Sequence, residues 1–164
     1  MSRKIIFIFL GFFIILGCMP ISSNRIPSQK TSLELLAIQS REFESNKKIT
    51  FAAVLSVFQD LGYVISSAEI QTGFITVTSP TKLSTDPWNS IMTFTKATAF
   101  IEELKPGYTR VRLNFVETEQ IVRTAGPKAR GQMTVEDTPI EDATIYQNAF
   151  TKIQEGIFIR KSIH

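Results

Sequence analysis

The sequence predicts an α+β domain: an antiparallel sheet of about four to five strands with two helices packed on one face, in the order β-α-β-β-β-β-α. Three observations predict it. Apolar residues recur at three- and four-residue steps over 50–61 and again over 142–158, as in helices with one buried stripe. Between them, runs too short for helices are rich in isoleucine, valine and threonine. Those runs meet at Gln71-Thr72-Gly73 and at Lys105-Pro106-Gly107, and strands joined by tight turns are antiparallel.

Residues 35–44 read as the first strand, because Leu36 and Ile38 alternate with Ala37 and Gln39, and Arg41 and Phe43 follow with polar neighbours. Asn46-Lys47-Lys48 reads as a turn. Over 50–61, Phe51, Val54, Leu55, Phe58 and Leu61 form one stripe, with Thr50 as N-cap and Gly62 as a left-handed stop. A stripe of that size is the face a helix lays on its own sheet. Residues 63–69 and 74–79 pair as strands, and Pro80 ends the second. The polar stretch 81–90, with Pro87 and Trp88, reads as a loop.

Residues 92–104 and 108–119 make the second hairpin. In its second strand Val111, Leu113 and Phe115 share one face, while Arg110, Arg112 and Asn114 share the other. One sheet face is therefore buried and the other wet. The stretch 120–139 is broken by Gly126-Pro127 and Gly131, and within it 132–135 suit a short strand. The closing helix, 142–158, carries Ile145, Tyr146, Ala149, Phe150, Ile153 and Ile157 as its stripe. Glu141 and Asp142 at its start and Arg160 and Lys161 at its end suit the helix dipole, and Gly156 weakens the final turn.

The N-terminus reads as an export signal. Ser2-Arg3-Lys4 puts positive charge ahead of the apolar run 5–16, and Gly17 is small. As a helix that run spans about 18 Å, short of a hydrocarbon core of about 30 Å. Ile15-Leu16-Gly17-Cys18 resembles the lipobox of bacterial lipoproteins. The resemblance implies cleavage between Gly17 and Cys18, three acyl chains on Cys18, and attachment to a membrane. Met19 in place of an aspartate leans toward the outer membrane, with the domain in the periplasm. Residues 1–17 are then the signal peptide, 18–32 a tether rich in proline and serine, and 33–164 a single domain. The tether places the domain roughly 20 Å from the anchor as a coil and about 40 Å when stretched.

Composition narrows the chemistry. Once Arg3 and Lys4 leave with the signal, the 18 Lys and Arg fall close to the 15 Asp and Glu, so the charge shows no footprint for nucleic acid. Cys18 is the one cysteine, and His164, at the chain end, is the one histidine. A catalytic triad, a cysteine nucleophile and a histidine metal site are hard to build from these, and neither metal nor cofactor is expected. Neighbouring strand residues point to opposite faces, so the acidic pair Glu102-Glu103 does not converge on one substrate. A hydrolase with carboxylates brought together only by folding is the least favoured reading.

Arg41-Glu42-Phe43, Phe51-Ala52-Ala53-Val54-Leu55, Phe58-Gln59-Asp60-Leu61-Gly62-Tyr63, Ala68-Glu69 and Gly73-Phe74-Ile75 resemble a group of small, poorly characterised bacterial lipoproteins. Tyr146-Gln147 with Phe150 and Ile153 is similar to their closing helix. More distantly, the layout resembles the BamC-like helix-grip domains of the outer-membrane assembly machinery. The shared residues are packing motifs and say little of function; the acyl anchor, short tether, compact domain and lack of a catalytic set point to a non-catalytic envelope lipoprotein that binds a protein partner or supports an assembly. Trp88, Arg110 and Arg112 are the candidate partner surface, Trp88 because tryptophan is enriched at binding hot spots. A small amphiphile held in a groove between helix and sheet is the alternative, in keeping with the many phenylalanines.

Overall fold

In the computed structural model, which describes residues 30–123 and 131–163, the chain runs α1 (Ser32–Gln39), β1 (Ser40–Phe43), α2 (Lys47–Asp60), β2 (Val64–Glu69), β3 (Phe74–Thr78), β4 (Lys82–Thr85), β5 (Asn89–Lys105), β6 (Tyr108–Arg123), β7 (Met133–Pro139) and α3 (Ala143–Ile163). The α+β class and the antiparallel sheet are as expected. Among the described residues the sheet has seven strands rather than four to five, and there are three helices rather than two.

The sheet is built on one long hairpin. β5 and β6 pair without a break in register from Asn89↔Arg123 to Glu103↔Thr109, with one irregularity before Lys105↔Tyr108. Seventeen residues of β5 are roughly 55 Å of strand if straight. The neighbours are much shorter and divide this length between them. On β5, β3 pairs with residues 96–100 and β4 with residues 90–93. On β6, β1 pairs with residues 109–112 and β7 with residues 116–122. β2 closes one edge through β3. The hairpin thus belongs to two sub-sheets: a proximal one with β1, β3 and β2, and a distal one with β4 and β7.

Helices α2 and α3 cover one face of the proximal part. Ile75, Val77, Ala97, Ala99, Ile101, Val111, Leu113 and Phe115 of the sheet are buried against Phe51, Val54 and Phe58 of α2 and Tyr146, Phe150, Ile153 and Ile157 of α3. The alternation expected for β6 holds, with Val111, Leu113 and Phe115 buried and Arg112 and Asn114 exposed. The two helices cross at Gly156, where an added Cβ would lie 3.4 Å from the Cβ of Ala53. That is ordinary contact distance, so Gly156 marks where the helices touch, and α3 continues past it to Ile163. Ile145, expected on the stripe, is 39% exposed.

Three local signals account for the other differences. Residues 35–39 are helical, not the start of a strand. The Thr31 hydroxyl accepts from the Glu34 amide at 3.3 Å and the Glu34 carboxylate accepts from the Thr31 amide at 2.7 Å, a reciprocal cap that nucleates α1. α2 begins at Lys47, because the Asn46 side chain accepts from the Ile49 amide at 2.9 Å, so the expected N-cap Thr50 lies buried inside the helix. β4 and β7 replace the loop expected over 81–90 and lengthen the short strand expected over 132–135. Both are exposed along their whole length, so neither carries a clean buried alternation. The expected signal peptide, 1–17, and the sites Gly17 and Cys18 lie outside the described residues.

One side chain closes a gap in the sheet. Between the end of β1 and the start of β7, the edge of β6 would leave Phe115 without a strand partner. The Phe115 amide instead donates to the Tyr146 hydroxyl at 3.4 Å, and its carbonyl accepts from the Ile140 amide at 2.9 Å. The Tyr146 hydroxyl donates to the Ile140 carbonyl at 2.8 Å and accepts from Gln39 Nε2 at 3.4 Å. Tyr146 is fully buried, so these polar groups have no recourse to water.

Tyr146→Phe is expected to lower stability by about 1–3 kcal/mol, read by denaturant unfolding, because it strands the Phe115 amide in the core. Gly73→Ala is expected to cost at least about 2 kcal/mol in the same measurement. Gly73 sits at φ +81°, and a Cβ there would lie 2.1 Å from the Ile101 carbonyl oxygen.

Candidate functional site

The sequence-derived candidates fall at opposite ends of the long hairpin. Trp88 occupies the turn between β4 and β5 and is 68% exposed, so it does not cover the core. The Asp86 carboxylate shapes this turn by accepting from the amides of Trp88 at 2.7 Å and Asn89 at 2.8 Å. Arg110 and Arg112 lie on the proximal part of β6, on the face without helices. About 13 residues of β5, roughly 40 Å, separate them from Trp88. The three residues do not form one surface.

Arg110 is occupied within the sheet. Its guanidinium donates to Glu42 at 2.9 Å and to Glu102 at 3.2 Å, across both neighbouring strands. The bond to Glu42 pushes its already high pKa further up. Cross-strand pairing of this kind holds register on a wet face. Arg112 is exposed and lies opposite Phe100 and Ser40. Glu102 and Glu103 part as expected: Glu102 joins Arg110, while Glu103 lies near Lys47 and Lys48 at the helix side.

The distal sub-sheet presents a surface the sequence reading missed. Directly opposed residues share a face, so one row runs Leu83–Met92–Gln120–Val135 and the next runs Thr85–Ser90–Val122–Met133. This face lies on the side of the sheet away from α2 and α3. Leu83 is 68% exposed, Met133 53% and Val135 49%, while Met92 and Val122 are half-buried. Phe94 adjoins this patch. The Lys96 ammonium lies 5.6 Å from its ring centroid and 3.6 Å from Asp137, and the Thr118 hydroxyl donates to Asp137 at 2.5 Å. The only sequence signal was Leu83 and Val135 standing alone among polar neighbours.

Among the described residues the space between helices and sheet is filled by Phe58, Phe115 and Tyr146, packed edge-to-face, with Phe150 buried beside them against Phe43. The described clefts lie instead on the outer surface. One of about 340 Å³ runs between α2 and α3 over Ala53 and Gly156, lined also by Asp60, Lys152, Glu155 and Arg160. Displaced titrations mark caps and turns. The carboxyls of Glu34, Asp86 and Asp142 are held below the usual range chiefly by backbone amides of Thr31, Trp88 and Thr144 respectively, and burial raises the Tyr63 hydroxyl. Among the described residues no three His, Cys, Asp or Glu converge to hold a metal, and no helix is long and apolar enough to cross a membrane.

No family model and no curated protein matches this sequence. Among solved structures, the fold is similar to that of a DUF4468 family protein from Bacteroides ovatus. The TM-score is 0.40 at 12% identity, over 79% of this chain and 96% of that one. A superposition this loose assigns neither a family nor an activity.

The lowered pKa of Asp86 gives the turn a defined acid limit. A depressed carboxyl contributes above its unfolded pKa of about 3.9 and loses that contribution as pH falls through the folded value. The amide shifts of Trp88 and Asn89, followed by NMR, are therefore expected to titrate with a midpoint below that of an ordinary aspartate. A midpoint at the ordinary value would mean that the cap is not made in solution.

Proposed function

We propose that this protein is a lipid-anchored, non-catalytic protein of the bacterial envelope whose distal sub-sheet binds a protein partner. The observation that carries the reading is the apolar face of Leu83, Met92, Val122, Met133 and Val135, standing clear of the helix layer with Trp88 at its tip. Exposed apolar surface gathered on one face is characteristic of interaction sites, and Trp88 supplies an anchor of the type that dominates binding energy. The lipobox at 15–18 supports attachment through Cys18, with the outer membrane favoured by Met19. A single cysteine given to lipid and a single histidine at position 164 favour a supporting role in an assembly over chemistry.

A photo-crosslinking residue placed at Leu83 or Val135 in the full chain is expected to yield one reproducible protein adduct in native membranes. The same probe at Arg112 is expected to yield far less. Equal labelling at the two ends of the hairpin, or none, overturns the partner surface. Separately, Cys18→Ser is expected to abolish acylation and release the chain from the membrane fraction. Unchanged processing and retention would overturn the anchor.

A further inference from the structure

The fold sorts charge that the sequence interleaves. α2 and α3 carry Lys47, Lys48, Lys152, Arg160 and Lys161 against only Asp60 and Glu155. The rest of the described domain carries the other thirteen of the 15 acidic residues. The ion pairs among the described residues, Arg110 with Glu42 and Glu102 and Lys96 with Asp137, all lie on the sheet. Among the described residues none of the five helix cations forms an ion pair, although Asp60 and Glu155 line one cleft with Lys152 and Arg160 and Glu103 lies near Lys47 and Lys48, so the layer keeps a net charge of about +3. Arg160 donates to the Ser56 hydroxyl at 2.5 Å, Lys47 to the Gln71 carbonyl at 2.9 Å, and Lys161 to the Glu44 carbonyl. Such neutral acceptors orient a cation without cancelling its field.

The same layer shows apolar groups outward beside those cations. Phe158 is 71% and Ile159 57% exposed, one helical turn from Glu155, about two from Lys152, and next to Arg160 and Lys161. Arg160 lines both the cleft of about 340 Å³ between the helices and an adjoining one of about 450 Å³ with Lys48 and Asn46. A cationic face with a protruding phenylalanine and isoleucine is the pattern of a surface that rests on lipid headgroups.

The start of the described chain lies on this side. The Lys30 ammonium donates to the Glu141 carbonyl, beside the first turn of α3, and α1 packs on α3. Residues 18–29 reach at most about 40 Å from Lys30. Phe158 lies only about 23 Å along α3 from Ala143. An anchor at Cys18 thus lets the whole outer face of α3 meet the bilayer. We infer that the outer surface of α2 and α3 docks on the anionic phospholipid headgroups of the membrane holding the chain, turning the helix-free distal face toward the partner. This rests on the anchored reading above.

The test uses the full, natively acylated chain in vesicles of phosphatidylcholine alone or mixed with phosphatidylglycerol. With Cys18 acylated, Gln154→Cys or Arg112→Cys supplies a single thiol for a fluorophore, and spin-labelled lipid quenches it. Quenching at position 154 is expected to exceed that at position 112 several-fold in the anionic vesicles. High salt is expected to reduce it, and Lys48→Glu with Lys152→Glu to abolish it. Phe158→Ser, at an exposed site, is expected to weaken it with unchanged thermal unfolding. Equal quenching at the two positions, or indifference to lipid charge and to charge reversal, overturns the proposal. So does a cationic face that crosslinks to an acidic protein and stays unquenched. Flotation with the phosphatidylcholine vesicles reads the anchor independently. If the chain does not float, the same quenching on anionic vesicles added from solution still decides the docking.

Discussion

The pairing of β5 with β6 is the constraint on which the rest of the molecule depends. Its register runs from Asn89↔Arg123 to Lys105↔Tyr108, and every other strand except β2 hydrogen-bonds directly to one of the two. A slip by one residue would turn Ala97, Ala99, Ile101, Val111, Leu113 and Phe115 out of the core and bring Lys96 and Arg112 in. Burial fixes the register at the proximal end and Arg110, bridging Glu42 and Glu102, reinforces it on the wet face. The distal end inherits that register with no helix above it.

Sharing one hairpin between two sub-sheets creates a problem at the join. A strand edge passes from β1 to β7, and backbone groups in between must find partners away from water. Tyr146 and Ile140 solve it with side-chain and loop atoms, which ties the first turns of α3 to the centre of β6. The same tyrosine receives Gln39, so α1, the sheet and α3 meet at one hydroxyl. Beside the α2–α3 crossing at Ala53 and Gly156, Lys48 of α2 and Arg160 of α3 line one cleft.

Much of this was legible in the sequence wherever burial imposes a period. Val111, Leu113 and Phe115 against Arg110, Arg112 and Asn114 read correctly as inside and outside. Gly62, Gly73 and Gly107 all adopt the positive φ that their turns demanded. α1 was misread because its Leu33 and Leu36 are exposed and carry no stripe, while its real signal, Thr31 with Glu34, lies in a cap. β4 is not legible and β7 only over 132–135, because a strand wet on both faces has no apolar alternation to read. The candidate surfaces were least legible. Leu83 and Val135 stand more than fifty residues apart and meet only through Met92 and Gln120, and near-parity of total charge concealed five cations gathered on two helices.

The unequal lengths of the strands give the molecule a mechanical grain. Proximal β5 and β6 are clamped under two helices, whereas their distal halves carry only β4 and β7 beside them. Ladder hydrogen bonds resist shear within the sheet plane but oppose bending out of it only weakly. A load applied at the tryptophan-bearing tip would therefore flex the overhang near Lys96 before it reached the clamped root. The protein is in effect a cantilever whose compliance is set by where its helices stop.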